Sequence, residues 1–207
     1  MDNYRLEKQL EFLLEIDKEK RVTRQNYNAD GVTRENDAEH AWHMAVMAIL
    51  LSEYTNESID LLRTVKMILL HDVVEIDAGD TYAYDEEAKK SQEARELAAA
   101  ERIYGLLPED QRVEMRALWD EFEAQKTPEA RFARTMDNFQ PMMLNTATEG
   151  KSWKEHGVTV EQILERNKNT SRGSEELWEY ARENWLKQNV EKDWIAGDPS
   201  TLEEKDS

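Results

Sequence analysis

The chain has 207 residues, with 45 Asp and Glu against 27 Lys and Arg, so its formal charge of −18 repels nucleic-acid backbones and argues against DNA or RNA binding. Zero cysteines exclude disulfides, thiolate metal sites and cysteine nucleophiles, and fit a cytoplasmic location. The start, Met1-Asp2-Asn3-Tyr4-Arg5, shows no signal peptide, and the longest apolar run, near 45–51, falls far short of the roughly 20 residues of a membrane span.

Seven glycines and four prolines among many Ala, Leu, Glu, Lys and Met predict helices throughout. The first covers about 5–20, with Leu6, Leu10, Leu13, Leu14 and Ile16 near one face. A polar loop, 21–35, carries Arg21, Arg24, Arg34 and the Asp30-Gly31 turn signal, and connections of this length in compact domains are often functional. Asn36 reads as an N-cap, with Glu39 completing a capping box. The helix it opens runs to about Tyr54, with Ala38, Ala41, Trp42, Ala45, Ile49 and Leu50 as packing candidates. The next runs from about Ile59 to Asp77 and ends near Gly79, its buried side marked by Leu62, Val65, Ile68 and Leu69. A charged, alanine-rich helix over 85–104 has only a thin apolar stripe, and Pro108 opens another to about Gln125. Thr127-Pro128-Glu129 is a cap followed by proline at the first helical position, starting a helix to about Thr148. Gly150 and Gly157 bracket a loop holding Trp153 and His156, and helices over about 159–168 and 174–190 follow. No linker separates two halves. The expectation is one all-α domain over 1–195, a bundle of about seven to eight helices, with a polar, disordered tail at 196–207.

One stretch is chemically out of place in this pattern: Leu69-Leu70-His71-Asp72-Val73-Val74-Glu75-Ile76-Asp77-Ala78-Gly79-Asp80. A His-Asp pair closes an apolar run, and buried charge has to be paired or bound to metal. Neutral imidazoles and ionised carboxylates converging from separate helices make a divalent-ion site. With only four histidines in the chain, His40 in the first turn of its helix is the natural second imidazole, while His43 reads as a packing or hydrogen-bonding residue. Glu75 lies i+4 from His71 and i+3 from Asp72, on the same rim. Asp137 lies amid apolar residues, and Pro141 four residues on cannot donate to its carbonyl.

Four segments together resemble the HD superfamily of metal-dependent phosphohydrolases, in particular its 5′-deoxynucleotidase-like subgroup: Arg34-x-Glu-Asn-Asp-Ala-Glu-His40, His71-Asp72-x-x-Glu75-x-x-x-Gly79-Asp80, Asp137-Asn138-Phe139-Gln140-Pro141 and Trp153-x-x-His156-Gly157-Val158. The resemblance implies an HD-type helical bundle and a metal held by His40, His71, Asp72 and Asp137. It implies Glu75, with Asp72, in the chemistry, Asp80 on the sugar at its 3′ position, and an arginine of the first long loop on the phosphate. Arg24 fits that place and Arg21 is its rival; the aromatic that follows this arginine in some relatives is Gln25 here, with Tyr27 nearby. No histidine occurs from Val73 through Met136, which favours a single ion, with Mn²⁺, Fe²⁺, Co²⁺, Ni²⁺ and Zn²⁺ all compatible with two imidazoles and two carboxylates. Glu75 is placed as the group that positions water or handles a proton, as base or acid.

The leading expectation is therefore a metal-dependent phosphomonoesterase acting on deoxyribonucleoside 5′-monophosphates, as a homodimer, with no nucleic-acid or membrane partner. The alternatives are a hydrolase of another phosphoester or a nucleoside triphosphate, and a metal-stabilised helical binding or regulatory module without turnover.

Overall fold

The structure, a computed structural model, describes residues 3–80, 82–84 and 86–202. Helix α1 (Tyr4–Ile16) runs into a 3₁₀ turn at Asp17–Arg21. The expected loop that follows is instead an antiparallel hairpin. β1 (Thr23–Tyr27) pairs with β2 (Arg34–Asn36), with Thr23 opposite Asn36, Tyr27 opposite Arg34 and an irregular register between them. Its turn is held by Asp30, whose Oδ1 accepts from the backbone of Val32 and Thr33 at 2.8 and 2.9 Å, and by Gly31 at φ 65°. Asn36 then caps α2 (Asp37–Leu51) with both halves of the capping box in place.

The single helix expected over 59–77 is broken. α3 (Leu61–Leu70) and α4 (Glu75–Ala78) are separated by a tight turn at 71–74, where Val73, Glu75 and Ile76 each donate three residues back rather than four. α5 (Glu86–Tyr104), α6 (Glu109–Ala124) and α7 (Pro128–Ala147) lie close to their expected spans. Residues 151–156, expected as loop, form the short helix α8 (Lys151–His156) between two left-handed glycines. α9 (Val160–Asn167) follows, and the last expected helix is α10 (Glu175–Ala181) joined to α11 (Lys187–Glu191) through a π turn.

Helix α7 is the axis of the main core. Phe132, Met136, Phe139 and Met142 pack with Met44 and Met47 of α2, Met67 and Ile68 of α3, and Leu118 and Phe122 of α6. A second cluster joins Phe12, Val73, Val74, Ile103, Tyr104 and Trp119 beneath α1 and α5. Val73 and Val74 are thus anchored in one cluster while α3 is anchored in the other, and the Tyr104 hydroxyl donates to the Leu70 carbonyl at 2.9 Å. The turn carrying His71 and Asp72 is pinned from both ends.

Several expected core positions face outward. Leu6, Leu10, Leu13 and Leu14 of α1 are exposed and Phe12 is the buried residue there. Trp42, Ile49 and Leu50 of α2 and Leu62 and Leu69 of α3 are exposed as well, between 46% and 67%. The tail also departs from expectation: the Val160 N–H donates to the Ala196 carbonyl at 2.8 Å, Leu202 is buried, and Arg182 donates to the Leu202 carbonyl. The remainder of the expected disordered arm, 203–207, lies outside the described residues. No helix among the described residues is long and apolar enough to cross a membrane.

Candidate metal centre and substrate cavity

The four expected ligands meet. His40 Nε2 stands 3.2 Å from Asp137 Oδ1, His71 Nε2 stands 3.0 Å from Asp72 Oδ2 and 3.9 Å from Asp137 Oδ1, and all four residues are buried. Donor atoms of His40, His71 and Asp72 lie within 4.8 Å of one another. Two donors about 2.1 Å from one ion stand roughly 3–4 Å apart, so these separations suit a shared cation.

The imidazoles are also oriented for one. His71 donates from Nδ1 to the Ile68 carbonyl at 2.7 Å, and His40 donates from Nδ1 to Gln140 Oε1 at 3.1 Å. Both Nε2 atoms are therefore turned inward, and His71 Nε2 is buried with no hydrogen-bond partner among the described residues. That orphaned nitrogen is the structural sign that a cation fits. Electrostatics agree. Burial and Arg24 both lower the proton affinity of His40, yet Asp137 and Glu35 outweigh them and push it up to about 9. Burial opposes ionisation of Asp72 and Asp137, but neighbouring imidazoles and arginines hold both carboxyls well below their ordinary range. The centre is built around positive charge.

Gln140 fixes His40 from behind. It donates from Nε2 to Glu35 Oε1, an acceptor-only group, so its Oε1 must face His40, and the same Nε2 lies 3.2 Å from His43 Nδ1. His43 is thus a hydrogen-bonding residue, as expected. Gln140→Leu removes the partner that sets the His40 tautomer, and its Mn²⁺ dissociation constant rises about 10–100-fold, measured by isothermal titration on protein whose helicity is unchanged.

Beside this set stands a second group of oxygens, Asp37, Glu75 and Asp80, also within 4.8 Å of one another. Asp37 Oδ2 and Glu75 Oε2 are buried without partners. Burial, reinforced by Asp72, raises Glu75 well above the ordinary carboxylate value and Asp37 up to about 7, while burial also raises Asp80. A histidine count does not detect an all-oxygen set of this kind, and Asp37 had no signal beyond its place in the motif.

Arg24, on β1, reaches the same spot. Its Nη1 donates to Asp72 Oδ2 at 2.7 Å and to Asp37 Oδ1 at 3.1 Å. Arg21 ends the 3₁₀ turn with an exposed side chain and does not line the cavity. The hairpin thus decides which loop arginine enters the site. Tyr27 turns away, hydrogen-bonded to Glu155 at 2.9 Å and covered by Arg34 and Lys151. The cavity itself, about 160 Å³, opens from the metal side towards Asp80, Tyr82, Trp153, Asn26 and Asn145. His156 stacks on Tyr82 at 4.5 Å between ring centroids.

Besides Asp37 and Glu35, sequence reasoning missed three further groups here. Arg134 and Arg166 both donate to Asp137 Oδ2, at 2.9 and 3.2 Å. Arg134 had a signal, its i,i+3 spacing to Asp137 on one helix; Arg166, on another helix, had none. Glu19 is a buried acid with an unpartnered oxygen, raised to about 7 by burial and by the charge of Asp72.

Known proteins share this framework. A 5′-deoxynucleotidase, HDDC2, of Homo sapiens is 34% identical over 135 residues, and its counterpart in Mus musculus 33%; the matches cover 65% of this chain. The chain spans about 65% of the length of these relatives. The crystal structure of a predicted metal-dependent phosphohydrolase from Magnetospirillum magnetotacticum superposes with a TM-score of 0.89 at 46% identity, covering 93% of this chain and 96% of that one. A conserved hypothetical protein from Pyrococcus furiosus shares the fold at a TM-score of 0.59 and 19% identity. The HD domain model matches residues 16–178, a span that holds His40, the His71-Asp72 pair and Asp137, and the chain belongs to the HD domain family.

Proposed function

We propose that the protein is a divalent-metal-dependent phosphomonoesterase that releases phosphate from deoxyribonucleoside 5′-monophosphates. The observation that carries the reading is the convergence of His40, His71, Asp72 and Asp137 on one buried point, with Arg24 and Glu75 at its edge. A divalent cation bound there supplies charge to a phosphoryl oxygen and lowers the cost of ionising water. The chain's own side chains do the rest. Arg24 offers a guanidinium fork to the phosphate, which competes with Asp72 and Asp37 for its donors. Glu75, unpartnered at Oε2, holds or moves the proton of the attacking water or the leaving oxygen. Asp80, half-buried at the cavity wall, accepts from the sugar 3′-hydroxyl, and Tyr82 and Trp153 face the nucleoside. The names of the 5′-deoxynucleotidase relatives support this substrate class.

We assign one ion to the four-ligand set, of the Mn²⁺, Fe²⁺, Co²⁺, Ni²⁺ or Zn²⁺ group, in a cytoplasmic enzyme. We also place a homodimer contact on the outer face of α2 and α3, where Trp42, Val46, Ile49, Leu50, Leu62 and Leu69 stand exposed, rather than on the late helices. The test is a phosphate-release screen of all deoxy- and ribonucleoside monophosphates and triphosphates against several metals, with light scattering for mass. The expected result is orthophosphate from deoxynucleoside monophosphates, abolished by EDTA and restored by Mn²⁺ or Co²⁺. Pyrophosphate from triphosphates, or nucleotide binding without product, counts against it.

A further inference from the structure

Six carboxylates and three guanidiniums line the cavity among the described residues: Asp72, Glu75, Asp80, Glu96, Glu123 and Asp137 against Arg24, Arg134 and Arg166. A phosphate dianion entering so acidic a space needs cationic donors besides the metal. The three arginines are not equivalent. Arg24 gives Nη1 to Asp72 and Asp37 and is the arm already assigned to the phosphate. Arg134, its side chain 14% exposed, has both terminal nitrogens committed, Nη1 to Asp137 at 2.9 Å and Nη2 to Glu123 at 3.1 Å, and its plane covers Phe122 at 4.2 Å. Arg166 differs. Its side chain is 34% exposed, and it makes one hydrogen bond, Nη2 to Asp137 Oδ2 at 3.2 Å.

That bond is surplus to structure, since Arg134 already satisfies the same oxygen at shorter range from a less exposed position. It does place the guanidinium one carboxylate away from the metal donors, because the other oxygen of Asp137 faces His40 and His71. Arg24 meets the donor set at Asp72 and Arg166 meets it at Asp137, so the two arginines approach the centre through different carboxylates. We propose that Arg166 is a second phosphate-binding arm, contacting the substrate's phosphoryl oxygens with the N–H groups that Asp137 leaves free. A planar fork with spare donors is the shape that recognises phosphate. Arg166 sits on α9, outside all four motif segments, so pattern reading passes over it.

This inference rests on the phosphohydrolase reading, and its test separates the two. Orthophosphate is titrated calorimetrically into Mn²⁺-loaded protein, and Mn²⁺ affinity is measured separately, for wild type, Arg166→Gln and Arg166→Lys, with circular dichroism to verify folding. In Arg166→Gln the orthophosphate dissociation constant and the nucleotide KM rise about 10–100-fold while Mn²⁺ affinity stays within about twofold, and Arg166→Lys recovers part of the loss. Unchanged orthophosphate affinity overturns the proposal, as does a parallel loss of Mn²⁺ affinity, which makes Arg166 a positioning residue for Asp137. Failure of the Mn²⁺-loaded wild type to bind orthophosphate overturns it too. If the wild type binds orthophosphate through Arg166 but releases none from any nucleotide, the monophosphatase reading fails and this one stands.

Discussion

Asp72→Ala loses divalent-ion binding and phosphate release together. In the proposed centre Asp72 is a donor, and its loss also strips Arg24 of its shortest contact and His71 of its neighbouring negative charge. Outer partners of metal ligands are worth about 10–100-fold in affinity, so loss of a direct ligand exceeds the upper end of that range. Metal content after dialysis and a Mn²⁺ titration measure the first effect, and phosphate release from deoxynucleoside monophosphates the second. Asp72→Asn keeps the side-chain volume and removes the charge, separating a packing defect from a ligand defect. A variant that retains the ion or the wild-type rate removes Asp72 from the centre.

Glu75→Gln keeps the ion and loses the chemistry. The substitution preserves shape, and Glu75 lies outside the four-ligand set, so Mn²⁺ affinity is retained while kcat falls about 10²–10⁴-fold, the usual range for a general acid or base. Burial and the nearby charges of Asp72 and Asp37 raise the carboxyl well above its ordinary value, so its titration moves upward in pH. The wild-type profile of kcat/KM then has a limb that the variant lacks. A limb rising with pH marks Glu75 as the base, a falling one as the acid. A kcat loss smaller than about 10²-fold with an unaltered profile takes the proton-handling role away from Glu75.

The candidate ligands stand out in the sequence because their signals are strong and local. Four histidines leave few choices, a His-Asp pair ending an apolar run demands compensation, and an aspartate among core residues four positions before a proline is conspicuous. The capping box at Asn36 and Glu39 fixed where α2 begins, and so where His40 sits. The hairpin was not legible: Thr23–Tyr27 and Arg34–Asn36 lack sustained β-branched alternation, and their pairing follows from a turn and from Arg24 reaching Asp72. Nor was the break between α3 and α4, since 71–74 keeps helical φ and ψ at His71 and only the span of its hydrogen bonds drops from four residues to three. Hydrophobic periodicity placed Trp42, Ile49 and Leu50 in a core because it marks an apolar face without saying what covers it. Arg166 and Glu35 are charged residues of ordinary surface type, and only tertiary structure turns them inward.

The contact between His40 and Asp137 spans 97 residues, and Arg166 follows 29 residues later. During synthesis at about 5–20 residues per second, roughly 5–20 s therefore separate the first ligand from the last. No emerging fragment that stops short of α7 has a complete set of donors. Ion capture at the proposed centre thus waits until α7 has emerged and docked between α2, α3 and α6. Because the ion binds the native arrangement and not the open chain, it acts then as a ratchet on the docking of α7.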